Sequence, residues 1–557
     1  MEDNRCVHRR VLPYAFLAFA ATAAAGGVAL NRLLDRPGES ALAFVPANAL
    51  GAISLDLVPA PDQVLAFKSI DEMISSAAAK EPQAKTAKNA LIGTLLHEFA
   101  NKPELEPISK QVDRSIALAF LPEQGKPEGE GEGVVLLPVK DPQAIASFLA
   151  SKGKPETAGG IPMVAIKSKD GSTVHFSLQG SVLVASGEAW PVADVVRAAT
   201  GKSSALVADP AFAAARARAI PSANLLVFVS PKMAKGEEWL TGSMTIRDTG
   251  IEVGVSGQTN DPDVIKAGSL VPLGPDVMAK LPRGAYGFLA AAQPGPAMAL
   301  AGEALDEPSK GMKEELGIDL KTDMIPAMSG NTVFGLYPSF GPDAGIDLLI
   351  VMDDANGADP AKLARKLEKA LEEKIDEDGG GAQEWKVVTH APDGTEMSRL
   401  ADEPVDDLRK ELSNAEKSFF RPLTLSRGKT IAWASVGNSL VFASSQSLLE
   451  RAVASRKTPS LANNLAGDAA FGANPSSATD GQVSYTLSMK RLAEGLRNTI
   501  DPSHMDVETA KMYRKSLSIY DNVTEPFNLR AKMEPNGRYT GYVSIPFDWT
   551  KLPGFFK

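Results

Sequence analysis

An internal repeat is the sequence feature that most constrains the fold of this chain. The stretch Ala47–Leu57 reads ANALGAISLDL, and the stretch Arg283–Gln293 reads RGAYGFLAAAQ. Each stretch follows a proline, and each has a glycine at its fifth position. Self-similarity over such a distance indicates that the chain is built from two structural units of one kind.

Five further pairs of similar blocks follow in the same order in the two halves. The matched positions are Ser115 with Asn331, Asp170 with Asp393, Ser181 with Ser439, Lys232 with Lys490, and Gly250 with Gly537. The spacing between matched blocks grows along the second half, and this places two polar, helix-prone inserts near residues 401–425 and 501–525. A constant order of blocks predicts a tandem duplication.

Each half has the pattern of an α+β fold. Short alternating runs such as TVHFS and IEVGV are separated by glycine turns, as is typical of antiparallel meanders. Segments with apolar residues at helical spacing lie between them. We predict a mainly antiparallel sheet-plus-helices unit, with the helices on one face of the sheet. The first repeat is expected at 38–258 and the second at 276–557, joined by a linker at 259–275 that is rich in Pro, Gly and polar residues.

The N-terminal segment predicts that the protein is exported. No charged residue occurs from Val11 to Leu30, and about 20 apolar residues are what a bilayer-spanning helix needs. Arg9 and Arg10 directly precede this run, so the positive-inside rule keeps the N-terminus in the cytoplasm. We predict a cytoplasmic tail at 1–10 and one transmembrane signal-anchor helix at 11–34. The protein would be single-pass in the bacterial inner (plasma) membrane, with a periplasmic body.

A cleaved signal peptide is the alternative to the anchor. Small residues around Ala21–Ala25 offer cleavage sites, whereas the length of the apolar run favours retention. The single cysteine, Cys6, precedes the apolar run. The exported body therefore forms no disulfide, and a core of this size does not need one.

The charge of the chain excludes one class of partner. The chain has 58 Lys and Arg against 68 Asp and Glu, a net charge of −10. An acidic body repels phosphate backbones, so we expect no nucleic-acid partner. The apolar content of 44% and the charged content of 23% are those of a folded protein.

The sequence assigns no catalytic, cofactor-binding or metal-ligating residue. A zinc protease would need a second histidine one helical turn after His97, and Asn101 stands there. The segments Gly201–Ser204 and Gly428–Thr430 end like phosphate-binding loops but lack the upstream glycine. With so few histidines and no thiol in the exported body, a nucleophilic triad or a zinc site is hard to assemble.

Two further patterns fail on spacing or context. Ser151 and Lys154 have the spacing of a serine–lysine dyad, but no partner motif accompanies them. The acidic loops Glu128–Gly133 and Asp376–Gly381 lack the spacing of a calcium loop. Each pattern is interpreted as a solvated helix end or loop.

The anchor, the opening VPANALGAISLDL and the paired strand blocks SVLVAS and SLVFAS together resemble one bacterial family. It is the domain-of-unknown-function 3352 family of exported, N-terminally membrane-anchored proteins. That family starts its exported part with LP-x-x-A before a short apolar strand, as Val45–Ala49 and Leu281–Ala285 nearly do. The resemblance spans about residues 40–550. It implies an envelope location and lends no catalytic residues.

Three functions are compatible with these observations, in decreasing order of preference. The first is a non-enzymatic, membrane-tethered scaffold or partner-binding module, whose partner is an envelope protein or a second copy. The second is a carrier of a lipid or other apolar ligand, because Ala- and Gly-rich layers leave room for a cavity. The third is a hydrolase that uses carboxylates, supported only by the abundance of Asp and Glu.

Overall fold

In the computed structural model the chain forms two compact units. One unit runs to Asp261 and resumes at Phe547, and the other runs from Pro262 to Pro546. The residues described are 41–56, 59–70, 72, 106–112, 115–123, 131–167, 171–234, 236–274, 276–299, 305–339, 346–353, 362–366, 369, 386–390, 396–400, 432–468, 471, 481–499, 502–504, 506–520, 523 and 526–551.

The described residues of the first unit form an antiparallel sheet of ten strands. In chain order they are β1 Gly51–Asp56, β2 Ser115–Pro122, β3 Gly131–Pro138, β4 Lys154–Ala158, β5 Ile161–Lys167, β6 Thr173–Gln179, β7 Val182–Ser186, β8 Leu225–Val229, β9 Glu237–Arg247 and β10 Gly250–Thr259. Pairing gives the order β4-β5-β6-β7-β3-β2-β1-β8-β9-β10. Every one of these pairs is antiparallel, as the alternating runs predict.

Helices of the first unit connect and cover the strands. They include α1 Glu106–Gln111, α2 Pro142–Lys152, α3 Ala189–Ala199 and α4 Pro210–Arg218, with 3-10 turns at Pro61–Gln63, Leu206–Ala208 and Trp549–Lys551. Helix α2 begins with Asp141 as its N-cap and Pro142 as its first residue. Oδ1 of Asp141 accepts hydrogen bonds from the backbone N–H groups of Gln143 (3.0 Å) and Ala144 (2.9 Å), which satisfies donors that the helix itself leaves unpaired.

The second unit also has ten described strands. They are β11 Gly287–Ala291, β12 Thr332–Pro338, β13 Ile346–Asp353, β14 Lys386–His390, β15 Glu396–Leu400, β16 Ala432–Val436, β17 Ser439–Ala443, β18 Val483–Leu487, β19 Phe527–Met533 and β20 Arg538–Pro546. Their antiparallel pairing gives the order β14-β15-β16-β17-β13-β12-β11-β18-β19-β20. This order matches that of the first unit, strand for strand.

Helices of the second unit fill the positions between these strands. They include α5 Pro262–Gly268, α6 Asp276–Ala279, α7 Pro294–Ala299, α8 Asp306–Leu316, α9 Ile325–Ala327, α10 Gln446–Lys457, α11 Met489–Thr499 and α12 Val507–Tyr520, with a π turn at Leu320–Met324 and 3-10 turns at Leu465–Gly467 and Pro502–His504. The expected linker at 259–275 therefore contains α5. The expected insert near 501–525 contains α12, whereas the insert near 401–425 lies outside the described residues.

Helices pack against both faces of each sheet, so the expectation of helices on one face only is wrong. In the first unit Val184 of β7 shares a core with Val192 of α3, whereas the adjacent Leu183 shares a separate core with Ile145 of α2. Successive residues of a strand point to opposite faces. A strand with apolar residues in succession, such as VLVAS, is therefore buried on both faces.

The second unit repeats this arrangement. Val441 of β17 shares a core with Leu448 of α10, and the adjacent Leu440 shares another with Met328, which follows α9. The α+β class and the large antiparallel sheets predicted from the sequence are thus confirmed.

None of the helices in the described ranges is long and apolar enough to cross a membrane. The predicted anchor at 11–34 lies outside those ranges.

Candidate functional site

The second unit contains a cleft of about 480 Å³ whose lining is dominated by arginine. Its lining residues are Arg283, Gly284, Arg451, Ala454, Ser455, Ala462, Asn463, Asp468 and Arg491. Three arginines against one aspartate give this surface, here called the arginine cleft, a formal charge of +2. That charge stands out in a chain whose net charge is −10.

A tight turn between α6 and β11 forms one wall of the arginine cleft. The backbone N–H of Arg283 donates to the carbonyl of Asn463 at 3.0 Å. Gly284 has φ +97°, a conformation that L side chains rarely adopt. Its N–H donates to Oδ2 of Asp468 at 3.0 Å. The glycine therefore lets the turn bring backbone and carboxylate together.

A buried tyrosine holds this turn from below. Tyr337 of β12 is fully buried, and its hydroxyl donates to the carbonyl of Pro282 at 3.0 Å. Burial raises the pKa of Tyr337 far above its ordinary value, so the hydroxyl stays a donor. Gly335 makes room for the ring, because a Cβ at this position would lie 2.6 Å from the tyrosine Cε2.

Helix α10 supplies the second arginine. Nη2 of Arg451 donates to the carbonyl of Arg283 at 2.6 Å, which fixes the guanidinium beside the turn. Burial lowers the pKa of Arg451 from its ordinary value, although an arginine remains charged at physiological pH. One turn further along α10, Oγ of Ser455 donates to the carbonyl of Asn463 at 3.0 Å.

A bidentate ion pair supplies the third arginine. Nη1 and Nη2 of Arg491, in the first turn of α11, each donate to one oxygen of Asp468 at 2.7 Å. Nη1 also donates to the carbonyl of Ala285 at 3.2 Å, and Cζ lies 5.9 Å from the ring centre of Phe471. The Asp468 side chain is fully buried, whereas 30% of the Arg491 side chain is exposed. The planar fork is therefore held in one orientation with part of its surface open.

This arrangement is suited to binding anions rather than to acid–base chemistry. Its single carboxylate, Asp468, is occupied by Arg491 and the Gly284 N–H. A hydrolase with paired carboxylates needs two such groups in one cleft, and the arginine cleft has one. Guanidinium groups instead recognise carboxylate and phosphate oxygens through paired N–H donors.

Residues singled out by sequence motifs have structural roles where the structure describes them. Gly201, with φ +71°, ends α3, and the N–H groups of Lys202 and Ser203 donate to the carbonyl of Arg197 at 2.8 and 3.2 Å. This segment is a helix C-terminus. Oγ of Ser151 donates to the carbonyl of Phe148 at the end of α2.

The histidines do not assemble into a site within the described part of the chain. His175 lies on β6 with Nδ1 3.4 Å from Oε2 of Glu156, and His390 ends β14. His97 and the segment Gly428–Thr430 lie outside the described residues. Among the residues that are described, no group of three or more His, Cys, Asp or Glu could hold a metal ion.

The sequence reasoning missed the arginine cleft, although a signal for it was present. The matched prolines align Arg283 with Ala47, and the matched lysines Lys232 and Lys490 align Arg491 with Met233. A charged residue at a position where the other half has an uncharged one points to a property that one half alone has.

Comparison with known proteins adds little. No protein-family model matches the chain, and no curated protein matches it. Two crystal forms of TP0453 are similar to part of it. Form I has 9% identity over 40% of this chain and 79% of that chain, with a TM-score of 0.23. Form IV has 11% identity over 42% and 85%, with a TM-score of 0.22. At these TM-scores the likeness carries no argument.

Proposed function

We propose that this chain is a non-enzymatic, membrane-tethered protein of the bacterial envelope whose second unit binds a partner through the arginine cleft. One observation carries the proposal: the two units share a strand order, but the arginine cleft has formed in only one of two corresponding places. The shared strand order does not require the three arginines, because the first unit has it without them. Binding is what a cluster of this kind serves.

The corresponding positions follow from the strands and bridges. Arg283 follows the proline that bridges to Asn464, and Ala47 follows the proline that bridges to Ala205. Arg451 lies eight residues after the end of β17, as Asp194 lies eight after the end of β7. Arg491 lies four residues after β18, as Met233 does after β8. The first unit thus has an alanine, an aspartate and a methionine in place of three arginines.

A tandem duplication accounts for the shared framework, and we include it in the proposal. Its support is the identical order of ten described strands in each unit, together with α3 and α10 following equivalent strands. Duplication leaves one copy to maintain the fold while the other acquires a binding surface.

The proposed envelope location rests on the N-terminal sequence and on the family resemblance. Cys6 makes it testable, because it is the only thiol in the chain and precedes the proposed anchor. A membrane-impermeant maleimide applied to spheroplasts should leave the wild-type protein unlabelled. It should label a Cys6→Ser variant that carries Lys152→Cys at the exposed end of α2. Labelling of the wild type, or loss of Cys6 from the mature mass, contradicts the anchored topology.

The binding function is tested by native mass spectrometry of the full-length protein, extracted from its own membranes in mild detergent. A bound species should accompany the wild type and be lost from Arg283→Ala/Arg451→Ala. The control is Lys152→Ala/Lys154→Ala, which removes two exposed positive charges from the first unit. A bare wild-type protein, or a species that both variants retain, contradicts binding at the arginine cleft.

A carrier of an apolar ligand is the second candidate, and a different surface favours it. One face of the second sheet has an unbroken row of apolar side chains that pair across seven strands: Phe442, Ile350, Phe334, Leu289, Tyr485, Leu529 and Val543. Phe334 is 45% exposed and Leu289 38% exposed. In the same experiment, this candidate predicts that a species of lipid mass accompanies the wild-type protein. That species should be lost from Phe334→Ser/Leu289→Ser and retained by Arg283→Ala/Arg451→Ala.

A further inference from the structure

We propose that the arginine cleft binds a phosphate ester, an inference that rests on the binding function proposed above. The ester is carried by a small soluble molecule or by a lipid headgroup. The two sources share the chemistry that the cleft would recognise.

Charge balance is the first argument for this ligand class. The cleft has a formal charge of +2, and a phosphate monoester carries a charge of about −1.5 to −2 near neutral pH. A carboxylate would compensate only half of the positive charge. In an acidic chain, a local excess of positive charge also attracts a dianion more strongly than a monoanion.

The preorganised donors are the second argument. Arg451 is fixed by the carbonyl of Arg283, and Arg491 by both oxygens of Asp468. Three of the five N–H groups of Arg491 are used in its bonds to Asp468 and Ala285. Arginines held in this way lose little conformational freedom on binding, so their interaction with an oxyanion is not offset by ordering.

Convergence from separate segments is the third argument. Arg283 lies on the turn before β11, Arg451 on α10 and Arg491 on α11. Donors from three directions suit a tetrahedral group with three outer oxygens better than a planar carboxylate, which a single guanidinium can engage in a bidentate manner.

The size of the cleft indicates an ester rather than inorganic phosphate. A volume of about 480 Å³ far exceeds that of one phosphate group, since a water molecule occupies roughly 30 Å³ in the liquid. The remaining lining is small and uncharged, with Ala454, Ala462, Ser455 and Asn463. These residues leave space beside the arginines for the alcohol portion of the ester.

The test measures binding of defined probes to the full-length protein in non-ionic detergent. Inorganic phosphate, glycerol 3-phosphate and acetate are titrated by calorimetry. Short-chain phosphatidic acid and short-chain phosphatidylcholine, each dissolved in the same detergent micelles, are titrated in the same way. We expect glycerol 3-phosphate or phosphatidic acid to bind, inorganic phosphate and phosphatidylcholine to bind more weakly, and acetate to bind at least about tenfold more weakly. The two ester probes distinguish a soluble source from a lipid source.

The variants locate the binding. Arg283→Ala and the double variant Arg283→Ala/Arg451→Ala should each weaken ester binding about tenfold or more. The Arg283 side chain is exposed, so its loss should not disturb the fold. The control Lys152→Ala/Lys154→Ala should leave ester binding within about twofold of the wild type. Thermal unfolding checks that each variant is folded, and the single variant keeps the test informative if the double variant is not. No binding of either ester, equal binding of acetate, or binding unchanged in Arg283→Ala overturns this inference. The proposed function fails separately, if native mass spectrometry finds no bound species that depends on the cleft.

Discussion

The aspartate after the 3-10 turn has different partners in the two units. In the first unit Oδ1 of Asp209 accepts from the backbone N–H groups of Ala211 (2.8 Å) and Phe212 (3.1 Å), and so caps α4. In the second unit the corresponding Asp468 binds both Nη atoms of Arg491. The aspartate at this position caps a helix in the first unit, and in the second unit it is the buried partner of an arginine.

The side chains around this aspartate explain the difference. The first unit has Met233 where the second has Arg491, and it has Leu121 where the second has Tyr337. Each replacement adds a hydrogen-bond donor to the second unit without changing the strand pairing. A shared framework therefore tolerates the replacement of apolar residues by polar ones wherever each new polar group finds a partner.

Arg491→Met should have the largest effect, because it gives the second unit the residue of the first. Asp468 would stay buried after losing its bidentate partner, and breaking a buried pair in this way costs about 3–5 kcal/mol. Urea denaturation followed by circular dichroism measures the loss in the free energy of unfolding. Adding Asp468→Asn should restore part of it, because the buried charge is then removed. A loss below about 1 kcal/mol would show that the pair contributes no more than a surface ion pair.

Transfer of the arginines to the first unit tests whether the framework is sufficient for binding. The change is Ala47→Arg/Asp194→Arg/Met233→Arg, made in a chain that already has Arg283→Ala/Arg451→Ala. We expect affinity for glycerol 3-phosphate to rise about tenfold over that background, or about 1.4 kcal/mol. Calorimetry measures it.

The transfer also introduces a charge repulsion on α3. Asp194 forms an ion pair with Arg197, one turn along α3, and replacing it with arginine puts two like charges on neighbouring turns. The transfer with Asp194→Ala instead is the control for this repulsion. If neither version binds the ester, the framework alone does not create the site.

Asp209→Ala isolates the capping role of the aspartate. Two N–H groups at the start of α4 would lose their acceptor, and loss of an N-cap typically costs about 1 kcal/mol. The free energy of unfolding should fall by that amount, and Asp209→Asn, which keeps an acceptor oxygen, should restore most of it. A loss as large as that of Arg491→Met would contradict the distinction drawn between the two aspartates.

The repeated blocks predict similar elements in the same chain order in the two halves, but they do not give the register between the units. Sequence similarity aligns Ser181 with Ser439, whereas the glycine turns at Gly180 and Gly437 and the strand ladders place Val182 at the position of Ser439. The runs SVLVAS and SLVFAS are apolar at successive positions, so a shift by one residue leaves the pattern unchanged. Register is specified by pattern only where one face of a strand is polar.

The arginine cleft was missed for a different reason. Its arginines stand more than two hundred residues apart at the extremes, between Arg283 and Arg491, and share no motif spacing. Only the folded sheet brings the β11 turn together with α10 and α11. The role of Asp468 could not be predicted either, because nothing in the sequence distinguishes one buried carboxylate among 68 acidic residues.

The smallest expected effect concerns Lys280, which stands where the first unit has the partly buried Phe44. Nζ of Lys280 lies 2.5 Å from Oδ2 of Asp276, and both side chains are well exposed. The hydrogen bond from Lys280 lowers the pKa of Asp276 below its usual 3.8. A carboxyl with a depressed folded-state pKa adds stability above its unfolded-state pKa and loses it as the pH falls through the folded-state value.

Lys280→Met should therefore lower the free energy of unfolding by about 0.3 kcal/mol at neutral pH. Thermal unfolding measured from neutral pH down through the pKa of Asp276 should show the stabilities of wild type and variant converging. Once Asp276 is protonated, Lys280 no longer forms an ion pair in the wild type. A difference independent of pH would mean that Lys280 acts through the packing of its stem on the core, as Phe44 does in the first unit.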